Sequence, residues 1–206
     1  MRRPEFIARQ VRCPSGWLGR VVARIMAHET SAENHVALNL LRIEPSRRVL
    51  EIGFGHGRTL ARAASMAVEG GVAGVDASPT MVAMARSFNR ELVQQRRMDL
   101  RIGDVPQLPF ESESFDRVLS VHTIYFWPNP VEHLKEVRRV LRPGGRFVIG
   151  FRPPSEQVRS KFSPRVYTFR TPQEIGDMLW SAGFTHANEV APSAESSGVA
   201  FAVASR

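Results

Sequence analysis

The sequence predicts an α/β protein with a doubly wound, mostly parallel seven-stranded sheet and helices on both faces. Short apolar segments alternate with helical segments from residue 49 onward, and this alternation is typical of a parallel sheet with right-handed crossovers. A glycine-rich loop follows the first predicted strand. In addition, each of the first three predicted strands ends near a carboxylate, at Glu51, Asp76 and Asp104.

The first strand and the loop after it are the most informative segment. Residues 49–57 read VLEIGFGHG, in which an apolar run contains Glu51 and is followed by alternating glycines, Gly53, Gly55 and Gly57. Glycine permits positive φ and lets the backbone approach a ligand closely. A dinucleotide fingerprint would require a further glycine where this chain has Arg58. The acid at Glu51 favours a ligand with a cationic group over a pyrophosphate.

The second strand and its helix support a nucleoside site. Residues 72–76 form an apolar run that ends in Asp76, 19 residues after Gly57. This is about the distance at which an acid meets a ribose in nucleotide-binding βαβ units. Ser78 and Pro79 have the residue types of a helix N-cap and first turn.

The remaining elements are predicted from apolar periodicity and turn residues. Five further strands are expected at 100–104, 115–122, 146–151, 184–191 and 197–205. Helices are expected at 58–69, from Ser31 toward Pro45, at 128–142 and at 172–182. The inward face of the helix after Ser31 is expected to consist of Val36, Leu38, Leu40 and Leu41. Turns are predicted at 143–145, 192–193 and 196–198, and the Pro- and Arg-rich stretch 152–171 is predicted to be a variable, substrate-facing connection.

Residues 1–30 are predicted to form a helical arm, separate from the main domain at 31–206. An amphipathic helix is indicated there by apolar residues at helical spacing, Trp17, Val21, Val22, Ile25 and Met26. The favoured interpretation is a lid over the ligand cleft. Docking on a membrane surface is the second, because basic amphipathic helices can lie on anionic lipid.

Four motifs in order resemble the Rossmann-like (class I) S-adenosylmethionine-dependent methyltransferases of the small-molecule type. The motifs are VLEIGFGHG, GVDASPTMVAMAR, GDVPQLPFESESFDRVLSVHTIYFW and LKEVRRVLRPGGRFVIGF. The resemblance implies S-adenosylmethionine as cofactor and a C-terminal strand that runs antiparallel to the others. One departure is His56, where many members of the family have a small residue or proline.

The resemblance also implies roles for individual residues. The glycine loop would cradle the methionine and ribose parts of the cofactor, Glu51 would anchor its amino group, Asp76 would accept bonds from the ribose hydroxyls, and Asp104 would hold the adenine. The full set of implied cofactor-binding residues is Glu51, Gly53, Phe54, Gly55, Gly57, Asp76, Ala77, Asp104, Val105 and His122. His122 and Tyr125 are the candidate catalytic residues, able to orient a nucleophile or accept its proton. Each acid also has a structural alternative, as a solvated strand end, a helix start or a turn residue.

Composition limits the remaining classes of function. The net charge is +8, and 26 of the 28 basic residues are scattered arginines without the interleaved aromatic residues that stack on single strands, so nucleic acid is not the expected partner. One cysteine and no zinc spacing predict neither a disulfide nor a metal site. No apolar run of bilayer-spanning length and no signal peptide is present, so we expect a cytoplasmic protein.

A small-molecule or lipid-like methyl acceptor is therefore expected, because no added recognition domain is evident. Two alternatives remain: a cofactor-binding module without turnover, and an RNA-binding or RNA-modifying protein that uses its arginines. The sequence does not determine the oligomeric state.

Overall fold

The computed structural model describes residues 4–190 and 198–206. The helices in this part of the chain are α1 Glu5–Arg12, α2 Gly16–Glu29, α3 Ser31–Leu41, α4 Arg58–Met66, α5 Pro79–Phe88, α6 Arg90–Gln94, α7 Pro130–Val140, α8 Glu156–Lys161 and α9 Pro172–Ser181. The strands are β1 Arg48–Ile52, β2 Gly71–Asp76, β3 Met98–Ile102, β4 Phe115–Val121, β5 Leu141–Phe151, β6 Thr185–Val190 and β7 Ala200–Ser205. Short 3₁₀ turns follow β3 and β4.

The strands form one seven-stranded sheet in the order β3-β2-β1-β4-β5-β7-β6. The pairs among β1 to β5 are parallel, and β7 is antiparallel to both β5 and β6. The predicted fold class is thus confirmed, including the antiparallel C-terminal strand. The chain extends the sheet from β1 toward β3 and then returns to the other side of β1 with β4. This reversal creates the crevice in which α/β sheets bind ligands.

Helices cover both faces of the sheet, and each face has its own apolar cluster. Side chains of α3, α4 and α5 pack on one face, and side chains of α7 and α9 pack on the other. Alternation along β1 produces this division, because Val49 belongs to the first cluster whereas Leu50 and Ile52 belong to the second. On α3, Leu38 and Leu41 are fully buried as predicted, whereas Val36 and Leu40 are only partly buried.

Two segments differ from their predicted structure. The predicted turn at 143–145 lies inside β5, where the register with β4 jumps from Phe115↔Leu141 to Arg117↔Arg146. This bulge is possible because Gly144 adopts a φ of +73°. The predicted irregular connection 152–171 contains α8. This helix begins after Ser155, whose hydroxyl oxygen caps it by accepting the N–H of Val158. The predicted turn at 192–193 and most of that at 196–198 lie outside the described residues.

The N-terminal arm contains α1 and α2. Ala8 of α1 is buried in the cluster on the α7 face, and Gly19 of α2 lies close to Pro14. Three residues of the predicted apolar stripe of α2 face solvent, since Trp17 is 78%, Val21 43% and Ile25 56% exposed, whereas Val22 is half-buried. None of the described helices is long and apolar enough to cross a bilayer.

Candidate active site

A cavity of about 460 Å³ lies at the carboxyl ends of the central strands. Nine of the predicted site residues line it: Glu51, Gly53, Phe54, Gly55, Asp76, Ala77, Asp104, Val105 and His122. They meet there because the carboxyl ends of neighbouring parallel strands lie at the same edge of the sheet. The end of α1 and the connection to α2, residues 11–14, also line the cavity, as do Thr30 and Asn34.

The loop after β1 needs glycine for two separate reasons. Gly53 has a φ of +73°, and a Cβ there would lie 2.4 Å from Cγ2 of Thr123. Gly55 has a φ of +57°, yet a Cβ on it would meet no protein atom within 4 Å. The space over Gly55 is therefore open toward the cavity. A larger residue at this position would be restricted only by the backbone conformation and by a bound ligand.

Asp76 connects the loop to the second strand. Its Oδ2 accepts a hydrogen bond from the N–H of Gly55 at 2.9 Å, and its Oδ1 accepts one from the N–H of Ser78 at 2.9 Å. Burial raises the pKa of Asp76 to about 6, although these two N–H groups oppose the rise. Further donors from a ligand would favour the ionised carboxylate and lower that pKa.

Glu51 is a buried acid with an unused acceptor. Its side chain is 5% exposed, and its Oε2 has no hydrogen-bond partner within the described part of the chain. Burial, followed by the nearby charge of Asp76, raises the pKa of Glu51 well above its ordinary value. A buried carboxylate oxygen without a donor is costly, and a ligand ammonium in the cavity would supply both the donor and the opposite charge.

Asp104 lies at the third strand end, two residues after β3. Its Oδ1 accepts the N–H of Val105 at 2.8 Å, which starts the 3₁₀ turn that follows. The exposed carboxylate keeps acceptor capacity toward the cavity. The N–H of Val105, however, already has a partner in the Asp104 side chain.

His122 follows β4 in a left-handed conformation, with a φ of +61°. The backbone N–H of His122 donates to the carbonyl of Gly150 at 2.9 Å. The ring nitrogen Nδ1 lies 3.0 Å from the hydroxyl of Tyr125. Burial, helped by the charge of Arg152, lowers the pKa of His122 to about 4. The imidazole is therefore neutral near physiological pH, with one nitrogen protonated.

The hydrogen bonds around Tyr125 assign that proton. The hydroxyl oxygen of Tyr125 accepts the backbone N–H of Arg152, and burial raises the pKa of Tyr125, so the phenol keeps its hydrogen. Among its hydrogen bonds in the described residues, only Nδ1 of His122 can accept that hydrogen. The proton of His122 then resides on Nε2, so His122 offers a hydrogen-bond donor as its remaining polar group.

Two predicted site residues lie outside the cavity lining. Gly57, with a φ of +82°, allows α4 to pack on α5, because a Cβ there would lie 2.8 Å from both Ala85 Cβ and Asn89 Nδ2. Tyr125 is only 6% exposed and lies behind His122. The next two aromatic residues, Phe126 and Trp127, do line the cavity.

Sequence reasoning missed the residues that the arm and α3 contribute. Residues 11–14, Thr30 and Asn34 line the cavity, and the hydroxyl of Ser78 donates to the carbonyl of Pro14. No local motif marks these positions, because they reach the cavity only through packing of the arm over the strand ends. The predicted amphipathic character of the arm was the one available signal.

The lining fits a nucleoside that carries a cation better than one that carries phosphates. Glu51, Asp76 and Asp104 contribute three acids, and Arg12 is the basic side chain in the described lining. The orphaned oxygen of Glu51 suits an ammonium, and the open space over Gly55 admits a ligand against the backbone. These features match the cofactor implied by the four sequence motifs.

Comparison with known proteins agrees with this geometry. Residues 50–149 match a family model described as a methyltransferase domain. The chain is 27% identical over 133 residues to the uncharacterized methyltransferase YdaC of Bacillus subtilis (strain 168), covering 65% of this chain and 71% of that protein. It is 31% identical over 138 residues to 2-methyl-6-phytyl-1,4-hydroquinone methyltransferase 2, chloroplastic, of Oryza sativa subsp. japonica, covering 66% and 38%.

The chain spans less than half the length of most curated relatives that it matches. Among solved structures, it superposes on a SAM-dependent methyltransferase from Aquifex aeolicus with a TM-score of 0.69 at 19% identity, covering 84% of this chain and 88% of that chain. At this level of identity the likeness concerns the fold.

Proposed function

The chain belongs to the class I S-adenosylmethionine-dependent methyltransferases, and we propose that it transfers a methyl group to a small-molecule acceptor. The observation that carries the proposal is the convergence of three carboxylates on one cavity, one of them with a buried oxygen that lacks a donor. A site for a nucleotide phosphate would instead need cations or a helix N-terminus directed at the ligand.

Three residues of this chain would hold the cofactor. Glu51 would bind its ammonium, Asp76 would accept hydrogen bonds from both ribose hydroxyls, and Asp104 would accept one from the adenine amino group. Charge-assisted hydrogen bonds of this kind contribute about 1.5–3 kcal/mol each. When bound, the sulfonium supplies an electrophilic methyl group.

The acceptor must lie in line with that methyl group and about 3–3.5 Å from it. We assign its orientation to His122, whose Nε2–H would donate to an oxygen of the acceptor. With a pKa of about 4 and its proton on Nε2, the His122 ring would be too weak a base to take a proton from the acceptor. Tyr125 does not touch the cavity and is a positioning residue that holds the ring through Nδ1.

A lipid-like or otherwise apolar acceptor is favoured by the part of the lining near His122. Phe126 and Trp127, which follow His122 closely in the chain, supply an apolar surface in the lining. The name of the rice relative specifies a phytyl hydroquinone, which combines a ring oxygen with an apolar chain. The acceptor of this chain is proposed to have the same combination. The location of the protein in the cytoplasm stays a prediction from the sequence.

Methyl transfer is tested by incubating the protein with S-adenosylmethionine labelled in its methyl group and a panel of hydroxylated, amino and prenylated quinol acceptors. Label in an acceptor supports the proposal. Cofactor binding by calorimetry without label transfer to any acceptor favours the non-catalytic module. Submicromolar RNA binding that weakens steeply with salt, together with no binding of the cofactor, favours the RNA alternative.

Tyr125→Phe tests the assignment of His122. The variant removes the phenol hydrogen, so Nδ1 loses its donor and the Nε2–H tautomer is no longer imposed. We expect ¹⁵N chemical shifts of the His122 ring to move toward a tautomer mixture and kcat to fall more than KM rises. Tyr167→Phe is the matched control, since it removes a phenol hydroxyl from the same aromatic cluster and keeps the hydrogen bond between Tyr125 and His122. Unchanged ring shifts in Tyr125→Phe would contradict the assignment.

A further inference from the structure

The outer face of α2 is apolar where a surface helix of a globular protein is usually polar. Trp17, Val21 and Ile25 are spaced four residues apart, so they fall within an arc of about 80° on the helix. All three are exposed, with Trp17 at 78%. On the inner side of the same helix, Gly19 is buried against Pro14. Packing against the domain therefore explains only one side of α2.

Another exposed apolar side chain lies near α2, at the end of α5. Phe88, at the end of α5, is 57% exposed and lies under the guanidinium of Arg58, 5.8 Å from the ring centroid. Arg20 of α2 borders the same shallow depression as Phe88 and Arg58. These six residues, Trp17, Arg20, Val21, Ile25, Arg58 and Phe88, are called the arm surface below.

The arm is basic in composition. Residues 1–30 contain six arginines and two glutamates, so the arm carries +4 of the chain's net charge of +8. An exposed apolar stripe bordered by arginine is the pattern of helices that lie in the interface of an anionic membrane.

We propose that the arm surface docks the protein on an anionic lipid bilayer. Trp17, Val21 and Ile25 would enter the boundary between headgroups and acyl chains, and Arg20 and Arg58 would contact lipid phosphates. A second copy of the chain fits the surface less well, because a symmetric contact through it would bring these arginines close to their copies.

Docking would also place the cavity next to the lipid. Residues 11–14, which lead from the end of α1 toward α2, line the cavity, and His56 borders both the cavity and the depression beside Phe88. A lipid-like acceptor would then reach the site from the bilayer without crossing water. Docking itself does not depend on methyl transfer, so its test and that of the proposed function can fail separately.

The test measures cosedimentation of the full chain with vesicles of phosphatidylcholine alone and of phosphatidylcholine mixed with an equal amount of phosphatidylglycerol. We expect binding to the mixed vesicles that the double variant Trp17→Gln with Ile25→Gln weakens at least about tenfold, since two buried apolar side chains are lost. Trp180→Gln, which alters another exposed tryptophan, on α9, is the matched control and is expected to bind like the parent.

Charge is tested separately with Arg20→Gln and Arg58→Gln. Each is expected to lower binding to the mixed vesicles about fivefold and to leave binding to phosphatidylcholine unchanged, because anionic headgroups attract each basic residue near the surface.

In the Trp180→Phe chain, the remaining tryptophans are Trp17 and the buried Trp127. Quenching of its emission by lipids with brominated acyl chains would support insertion of Trp17 without any change to the arm.

Three results would overturn the proposal: no binding to the mixed vesicles, equal binding by the parent and the Trp17→Gln, Ile25→Gln variant, and no quenching by brominated lipid. A dimer in sedimentation velocity that the same double variant dissociates, without vesicle binding, would assign the surface to a second copy instead.

Discussion

The affinity for S-adenosylmethionine is expected to fall as the pH is lowered, with Asp76 responsible for a large part of the fall. The pKa of Asp76 is raised to about 6 in the cofactor-free protein because the carboxyl is buried and the N–H groups of Gly55 and Ser78 compensate only in part. To accept two ribose hydroxyls, the carboxylate must be ionised. A proton therefore competes with the cofactor below about pH 6.

The size of the effect follows from that pKa. With a pKa of about 6, Asp76 is mostly ionised at neutral pH, whereas near pH 5 only about one molecule in eleven is ionised. One competing proton then weakens binding about tenfold between pH 7 and pH 5, or about 1.4 kcal/mol. Glu51 acts in the same direction, since its pKa is also raised. The fall for the parent protein is thus expected to be tenfold or larger.

Titration calorimetry across this pH range measures the effect, with Asp76→Asn as the perturbation. The variant cannot ionise, so it is expected to bind at least about tenfold more weakly at pH 7, because it loses one of two charge-assisted bonds, and to show a smaller fall toward pH 5. Asp99→Asn is the control, because Asp99 is an exposed acid on β3 paired only with Arg101 among the described residues. A flat pH profile for the parent, or equal slopes for parent and Asp76→Asn, would refute the reasoning.

Three further predictions concern stability. Because the pKa of buried Glu51 is raised, the cofactor-free protein is expected to lose stability as the pH rises through that pKa. Glu51→Gln is expected to remove this loss, so the variant would melt at a higher temperature than the parent at alkaline pH. The same variant is expected to bind the cofactor more weakly. Gly53→Ala and Gly144→Ala both place alanine at a φ of +73°, but only the first puts a Cβ against Thr123. In denaturant unfolding, Gly144→Ala is expected to lower the free energy of unfolding by about 1 kcal/mol, and Gly53→Ala is expected to lower it clearly more. Arg170 is buried and donates to three backbone carbonyls; Arg170→Met is expected to cost about 3 kcal/mol of unfolding free energy, whereas the exposed Arg159→Met is expected to change it little.

The strand-end acids could be placed from the sequence because their position depends on few choices. Once the first two strands are identified as neighbours in a parallel sheet, Glu51 and Asp76 must lie at the same edge, whatever the details of packing. The structure pairs Glu51 with Gly74, two residues before Asp76. Asp104 follows by the same reasoning, although β3 ends two residues earlier than the predicted third strand.

Contacts that depend on three-dimensional packing were less predictable. The pattern G-x-G-x-G does not reveal which glycine faces a ligand and which faces a helix, so Gly57 was grouped with Gly53 and Gly55. Its role becomes visible only when α5 is in place, with Ala85 and Asn89 against it. Similarly, helical periodicity identified the apolar stripe of α2 but could not determine whether that stripe faces the domain or the solvent.

The backbone around His122 illustrates how the fold combines such long-range contacts into one functional group. A left-handed conformation costs a residue with a Cβ about 1 kcal/mol or more, and here the N–H of His122 compensates by bonding to the carbonyl of Gly150 on β5. The same strand leads into Arg152, whose N–H orients the phenol of Tyr125, and that phenol in turn contacts Nδ1 of His122. The end of β5 thus fixes both the backbone and the ring of a residue that follows β4. Because the two strands pair in parallel up to Val121↔Gly150, any acceptor oxygen bound at Nε2 would be held at a position set by the sheet and not by a mobile loop.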